Sequence, residues 1–153
     1  FFSRVQLGKV VTDYHYSFVK VTHPDCPYSL INFSVPESGE HTISLSQKGE
    51  RMFPRGNNYK YSNSRIIISK KDGDTLTYIR GATGFRDRDT HIEFENLKQG
   101  EYQLLIEINW EPETKDRVFC ATSYGKSKVQ FGDCNSETPI QEILKPIFKA
   151  KAL

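Results

Sequence analysis

Residues 101–110 read Glu-Tyr-Gln-Leu-Leu-Ile-Glu-Ile-Asn-Trp, with Gly100 immediately before them and Glu111-Pro112 immediately after. Tyr102, Leu104, Ile106, Ile108 and Trp110 recur at every second position. Only an extended chain puts residues spaced by two on one side; a helix would scatter them around its circumference. The β-branched and aromatic types in this run are also those that pack best on a pleated surface. The segment is therefore a strand with one face in a core.

The same signal repeats in both directions. Upstream, 90–94 (THIEF) is a strand that reaches residue 101 through the turn Lys98-Gln99-Gly100. Before it, 65–70 (RIIISK) and 75–80 (TLTYIR) flank Asp72-Gly73-Asp74, a hairpin signal because Asp-Gly tolerates the positive φ of a tight turn. The continuous apolar run Ile66-Ile67-Ile68 predicts a strand buried on both faces. Residues 48–64 carry Gly49, Pro54, Gly56, Asn57 and Asn58 and read as a loop. Further upstream lie 40–47 (EHTISLSQ), the turn Pro36-Glu37-Ser38-Gly39, and 28–35 (YSLINFSV), where Leu30, Asn32 and Ser34 alternate with Ile31, Phe33 and Val35. Another run, 10–22, ends at His23-Pro24-Asp25. Downstream, 111–117 is a loop before 118–124 (VFCATSY) and 127–131 (SKVQF).

About eight short strands with no helix between them predict an all-β fold, an antiparallel β-sandwich occupying residues 1–137. Parallel pairing is excluded, because its crossovers need a dozen or more residues. The expected core is Ile31, Phe33, Ile43, Leu45, Ile67, Tyr102, Leu104, Ile106, Ile108 and Trp110. Residues 138–153 differ. Thr138 suits an N-cap, Pro139 the first helical position, and Ile140, Ile143 and Leu144 follow at helical spacing until Pro146 ends or kinks the helix. With Ile147 and Phe148, this tail carries an apolar stripe that should dock on its own sandwich or on a neighbouring domain.

Composition narrows the function. Lys and Arg number 21 against 19 Asp and Glu, with both signs alternating along all 153 residues. Nucleic-acid binders draw affinity from a basic stripe, so that class is not expected. No apolar run approaches the roughly 20 residues of a membrane-spanning helix, and no signal peptide is recognisable. Three widely spaced cysteines, Cys26, Cys120 and Cys134, have neither zinc spacing nor an even count. Free thiols in an intracellular, cytoplasmic setting are the expectation.

Little in the chain spells catalysis. A Cys120–His91 pair is conceivable, but no cysteine-protease signature surrounds any of the three cysteines, and His15, His23, His41 and His91 are isolated. No phosphate-binding glycine loop is present. Two acidic patterns, Asp72 with Asp74 and Asp87 with Asp89, are candidate calcium ligands, since calcium takes several oxygens from flexible loops. Arg51, Arg55, Lys70, Lys71, Arg80, Arg86 and Arg88 would form a basic patch for anionic phospholipid if folding gathered them.

Several strands resemble the β-sandwich domain, also described as C2-like, that follows the protease core in calpain-type cysteine proteases. Thr42-Ile43-Ser44-Leu45-Ser46-Gln47-Lys48, with Arg51 just after, is similar to that family's strand ending in Ser-Gln-Lys and a basic loop. Gly100-Glu101-Tyr102 looks like its Gly-Glu-Tyr strand entry. The block Tyr61-Ser62 to Arg65-Ile66-Ile67-Ile68 and the stretch Ser123-Tyr124-Gly125 are closest to calpain-like proteins of protists. The resemblance spans residues 14–131 and implies a non-catalytic module. Such a module packs against other domains of the same polypeptide, the protease core above all, and is implicated in calcium- and phospholipid-linked regulation. No position here matches the family's catalytic Cys, His and Asn, and the long acidic loop of conventional calpains is missing. Two other readings stay open: a stand-alone calcium- or phospholipid-binding C2-like module, and a carbohydrate-binding sandwich.

Overall fold

The computed structural model describes residues 14–22, 28–49, 60–112, 114 and 117–135. These residues form nine strands: β1 (His15–Thr22), β2 (Tyr28–Val35), β3 (Gly39–Gln47), β4 (Asn63–Asp72), β5 (Thr75–Gly84), β6 (Asp89–Leu97), β7 (Gly100–Asn109), β8 (Val118–Gly125) and β9 (Gln130–Asn135). Two antiparallel sheets result, one of four strands in the order β1-β8-β3-β6 and one of five in the order β5-β4-β7-β2-β9. The fold is an all-β sandwich. The expected C-terminal helix, and with it the division at residue 138, lies outside the described residues, as do Cys26, Arg51 and Arg55.

Period-two patterning places the core. Ile31, Phe33 and Val35 of β2 face inward with Ile66 and Ile68 of β4 and Tyr102, Leu104, Ile106 and Ile108 of β7. From the other sheet come Ile43, Leu45, Ile92, Phe94, Phe119 and Ala121. The Phe33 and Tyr102 rings stack at 5.3 Å. Each large apolar side chain so buried contributes about 1.5–3 kcal/mol by leaving water, before the entropy of ordering it is subtracted.

Two expected core residues sit elsewhere. Ile67 points away from the interior, because its neighbours Ile66 and Ile68 take the inward positions. It joins a second cluster on the outer face of the five-stranded sheet, with Leu30, Leu105, Tyr28, Leu76 and Tyr78. Trp110 lies beyond the end of β7, packed against the core edge and half-buried, with the Arg117 guanidinium 6.0 Å from its ring centroid. The last strand also begins later than the sequence suggests. Ser127 and Val129 are buried ahead of it, and Ser127 is engaged by a histidine.

Turns follow the local chemistry. Gly73 has φ +62° in the β4–β5 hairpin, as the Asp-Gly reading requires. Gly125 marks a close approach: it pairs with both His15 and His41, and a Cβ there would stand 2.2 Å from the Glu40 carbonyl oxygen.

Candidate functional site

The candidate calcium ligands are not brought together. Asp72 and Asp74 bracket the β4–β5 hairpin turn, whereas Asp87 and Asp89 follow the far end of β5. Asp72 pairs with Thr75 and Ser64 with Gly84, so the two ends lie eight residues apart along β4, about 27 Å at strand rise. Asp89 accepts from Arg88 Nε at 3.1 Å, and the Asp87 carbonyl lies 3.4 Å from Gln47 Nε2. Among the described residues no group of three or more His, Cys, Asp or Glu side chains could hold a metal ion.

The described basic residues are dispersed as well. Lys70 lies over the Tyr102 ring at 5.3 Å and donates to the Gln99 carbonyl at 3.4 Å. Lys71 is exposed at the hairpin end. Arg80 donates to the Glu93 carbonyl and sits 5.4 Å over the Phe94 ring, so it clasps the five-stranded sheet to β6. Arg86 faces Glu111 at 3.7 Å, and Arg88 pairs with Asp89, both at the opposite end from Lys70 and Lys71.

Cys120 and His91 do not form a catalytic pair. Both face outward on the four-stranded sheet, yet β3 lies between them, with Ser46 opposite Cys120 and Ser44 opposite His91. Two strand spacings and a two-residue offset separate their Cα atoms by about 12 Å. Burial also pushes the Cys120 thiol above its ordinary value, only partly offset by the Lys20 ammonium on the facing strand. A thiol held protonated is a poor nucleophile.

Other residues hold the structure in ways the sequence did not signal. Gln47, buried at the end of β3, donates to the Ser62 carbonyl at 2.8 Å and accepts from the Ser62 amide at 2.9 Å. Its own amide donates to the Arg88 carbonyl at 2.8 Å, while Ser62 Oγ accepts from the Glu111 amide at 2.9 Å. Gln47 and Ser62 together thus tie β3, the entry to β4, the β5–β6 loop and the exit of β7. His41 is fully buried. Its Nδ1 donates to the Gly39 carbonyl at 2.9 Å and its Nε2 accepts from the Ser127 amide at 3.2 Å, fixing one neutral tautomer. Isolation in sequence concealed that role.

What the fold does expose is a flat outer face on the four-stranded sheet. Tyr16 and Phe18 of the edge strand β1 are 57% and 59% exposed, with ring centroids 5.9 Å apart. Opposite them stand Tyr124 and Thr122, the latter bonded to Ser44 at 2.6 Å. A cleft of about 1000 Å³ opens beside this face, lined among others by Tyr14, Glu40, Thr42, Glu93, Glu95 and Tyr124. Such a surface is suited to contact.

No family model matches the chain, and no curated protein matches it. Among solved structures, a mitogen derived from Yersinia pseudotuberculosis superposes with a TM-score of 0.50 at 11% identity, covering 82% of this chain and 97% of that one. The likeness is one of fold. It supports the two-sheet arrangement and carries no chemistry across. Among the described residues no helix is long and apolar enough to cross a membrane.

Proposed function

We propose that this sandwich is a non-catalytic regulatory and scaffolding module of a calpain-type cysteine protease, packing against the other domains of the same polypeptide. One observation supports the reading most: the residues that carry the sequence resemblance stand at the joints of the fold. Gln47, from the Ser-Gln-Lys strand end, joins β3 to the entry of β4 and to the β5–β6 loop. Tyr102, from the Gly-Glu-Tyr entry, donates to the Lys98 carbonyl at 2.5 Å and so closes the β6–β7 turn. Gly125, from Ser-Tyr-Gly, lets β8 approach β3. A motif set that secures strands and turns belongs to an architectural module. The exposed Tyr16–Phe18 face offers it a contact surface.

The reading expects the 153-residue chain to leave casein intact and to bind the protease core encoded with it, when that core is supplied in trans. Replacing Tyr16 and Phe18 together by serine should weaken this binding while leaving Tm unchanged, because exposed side chains contribute little to folding. Casein cleavage that disappears in Cys120→Ala would overturn the proposal. A calcium-dependent rise in Tm, lost in Asp72→Asn or Asp87→Asn, would favour a calcium- or phospholipid-binding module instead, since a ligand of the native state stabilises it by mass action.

A further inference from the structure

At the end of the five-stranded sheet farthest from the β4–β5 hairpin turn, outward side chains form a grid. Thr83 pairs with Arg65 and Arg65 with Glu107; one two-residue step along, Asn63 pairs with Asn109. Phe85, two residues after Thr83, continues that second row just past the end of β5. Two strand spacings by one such step make a patch of about 10 by 7 Å. These residues line a groove of about 360 Å³ that lies over the Ser64–Gly84 pair. The patch is open to solvent. Phe85 is 76% exposed, the Arg65 and Glu107 side chains are 47% and 36% exposed, and Thr83 and Asn109 are exposed with them.

Phe85 is the most exposed large apolar side chain among the described residues, and a constrained turn holds it there. Arg86, next in the chain, has φ +53°, a left-handed conformation that a residue other than glycine adopts at a cost. Two contacts secure it: its amide donates to Asn63 Oδ1 at 3.0 Å, and its guanidinium faces Glu111 at 3.7 Å. Packing gives no reason to set that ring in water. A ligand does, and the polar groups beside the ring say which kind. The Asn63 and Asn109 carboxamides and the Thr83 hydroxyl both donate and accept, the Arg65 guanidinium only donates, and the Glu107 carboxylate only accepts. Arg65 and Glu107 are paired through one nitrogen and one oxygen, so further donors and an acceptor stay on the same two side chains. Their charges cancel, and the patch has no net charge to draw in an ion. A sugar ring fits this set, because its hydroxyls donate and accept while its C–H face is apolar. We infer that the groove binds a neutral saccharide, one ring lying on Phe85 with its hydroxyls bonded to Asn63, Asn109, Arg65 and Glu107. This inference is independent of the protease reading, which rests on the opposite sheet.

The test titrates the full 153-residue chain with neutral hexasaccharides of the gluco, manno, galacto and N-acetylglucosamine series, followed by calorimetry. At least one series should bind, with the same affinity at about 50 and about 500 mM salt, because no net charge is there to be screened. Phe85→Ala and Asn109→Ala should each weaken that binding about tenfold or more, and Phe85→Tyr should retain it. All three side chains replaced are exposed or end-of-strand, so Tm should stay within about a degree of the native chain. Replacing Tyr16 and Phe18 by serine should leave saccharide binding unchanged, which separates this groove from the contact surface of the other sheet. Binding of none of the four series overturns the inference, as does binding that survives Phe85→Ala and Asn109→Ala together. Binding of inorganic phosphate that weakens with salt and disappears in Arg65→Gln overturns it as well, since the groove would then be an anion site.

Discussion

At the scale of single residues, two buried polar side chains concentrate the consequences of this fold. Burial holds the Tyr102 phenol above its ordinary range while it donates to Lys98. The folded state therefore favours the neutral phenol. That contribution is complete below the ordinary phenol value and is lost as pH rises through the raised one. Alkaline unfolding above pH 10 should thus be steeper in the native chain than in Tyr102→Phe, as followed by circular dichroism. Phenylalanine keeps the ring stack on Phe33 and leaves nothing to ionise. Gln47 gives a different test. Gln47→Ala abandons both the amide and the carbonyl of Ser62 in a buried position, which should cost about 2–4 kcal/mol in urea unfolding. Gln47→Glu keeps the acceptor for Ser62 N–H but turns a carboxylate toward the Ser62 and Asp87 carbonyls, and should be no better.

At the scale of elements, the strands and turns were legible where a local rule decided them. The alternation in 101–110 and 28–35 and the Asp-Gly hairpin follow from side-chain period and from φ at Gly73, both of which act within a few residues. Ile67 was not legible. In Ile66-Ile67-Ile68 nothing local says which member points inward; the pairing of Ile66 with Ile106 and of Ile68 with Leu104 says it. Where the candidate ligands fall was hidden for the same reason, since only the β4–β5 register places Asp72 and Asp87 at opposite ends. Gly125 is the sharpest element-level case. β8 lies between β1 and β3, and an added methyl at 125 would meet the Glu40 carbonyl and the His41 Cα at 2.2 and 2.7 Å, both backbone atoms that cannot swing aside. Gly125→Ala should lower stability by about 2–4 kcal/mol through this overpacking, measurable as a fall in Tm of the order of 10 °C. A Tm within a degree of the native chain would show that β3 and β8 separate easily.

At the scale of the whole molecule, the pairing pattern sets how the chain reaches this state. β1 pairs with β8, β2 with β7 and β9, β3 with β6 and β8, and β4 with β7. Among the described strands only β4 and β5 form a local hairpin; the other ladders join residues from 30 apart, Lys71 with Glu101, to 110 apart, His15 with Gly125. Loop closure must therefore be spent before the central ladders return any burial, and the β1–β8 ladder, joining His15 to Gly125, is the most demanding. Refolding from urea should fall in the milliseconds-to-seconds range of β-sandwiches, not the microseconds of helical bundles. The ladder between β2 and β7 supplies central strands of the larger sheet and the Phe33–Tyr102 stack, and we expect the nucleus there. Ile31→Val on that ladder should slow folding by most of its equilibrium effect, whereas Val19→Ala on the edge strand β1 should mainly speed unfolding. Stopped-flow fluorescence of Trp110 reads both limbs. Equal partition at the two positions would mean that the edge and the centre assemble together, and that the four-stranded sheet is no later an addition than the five-stranded one.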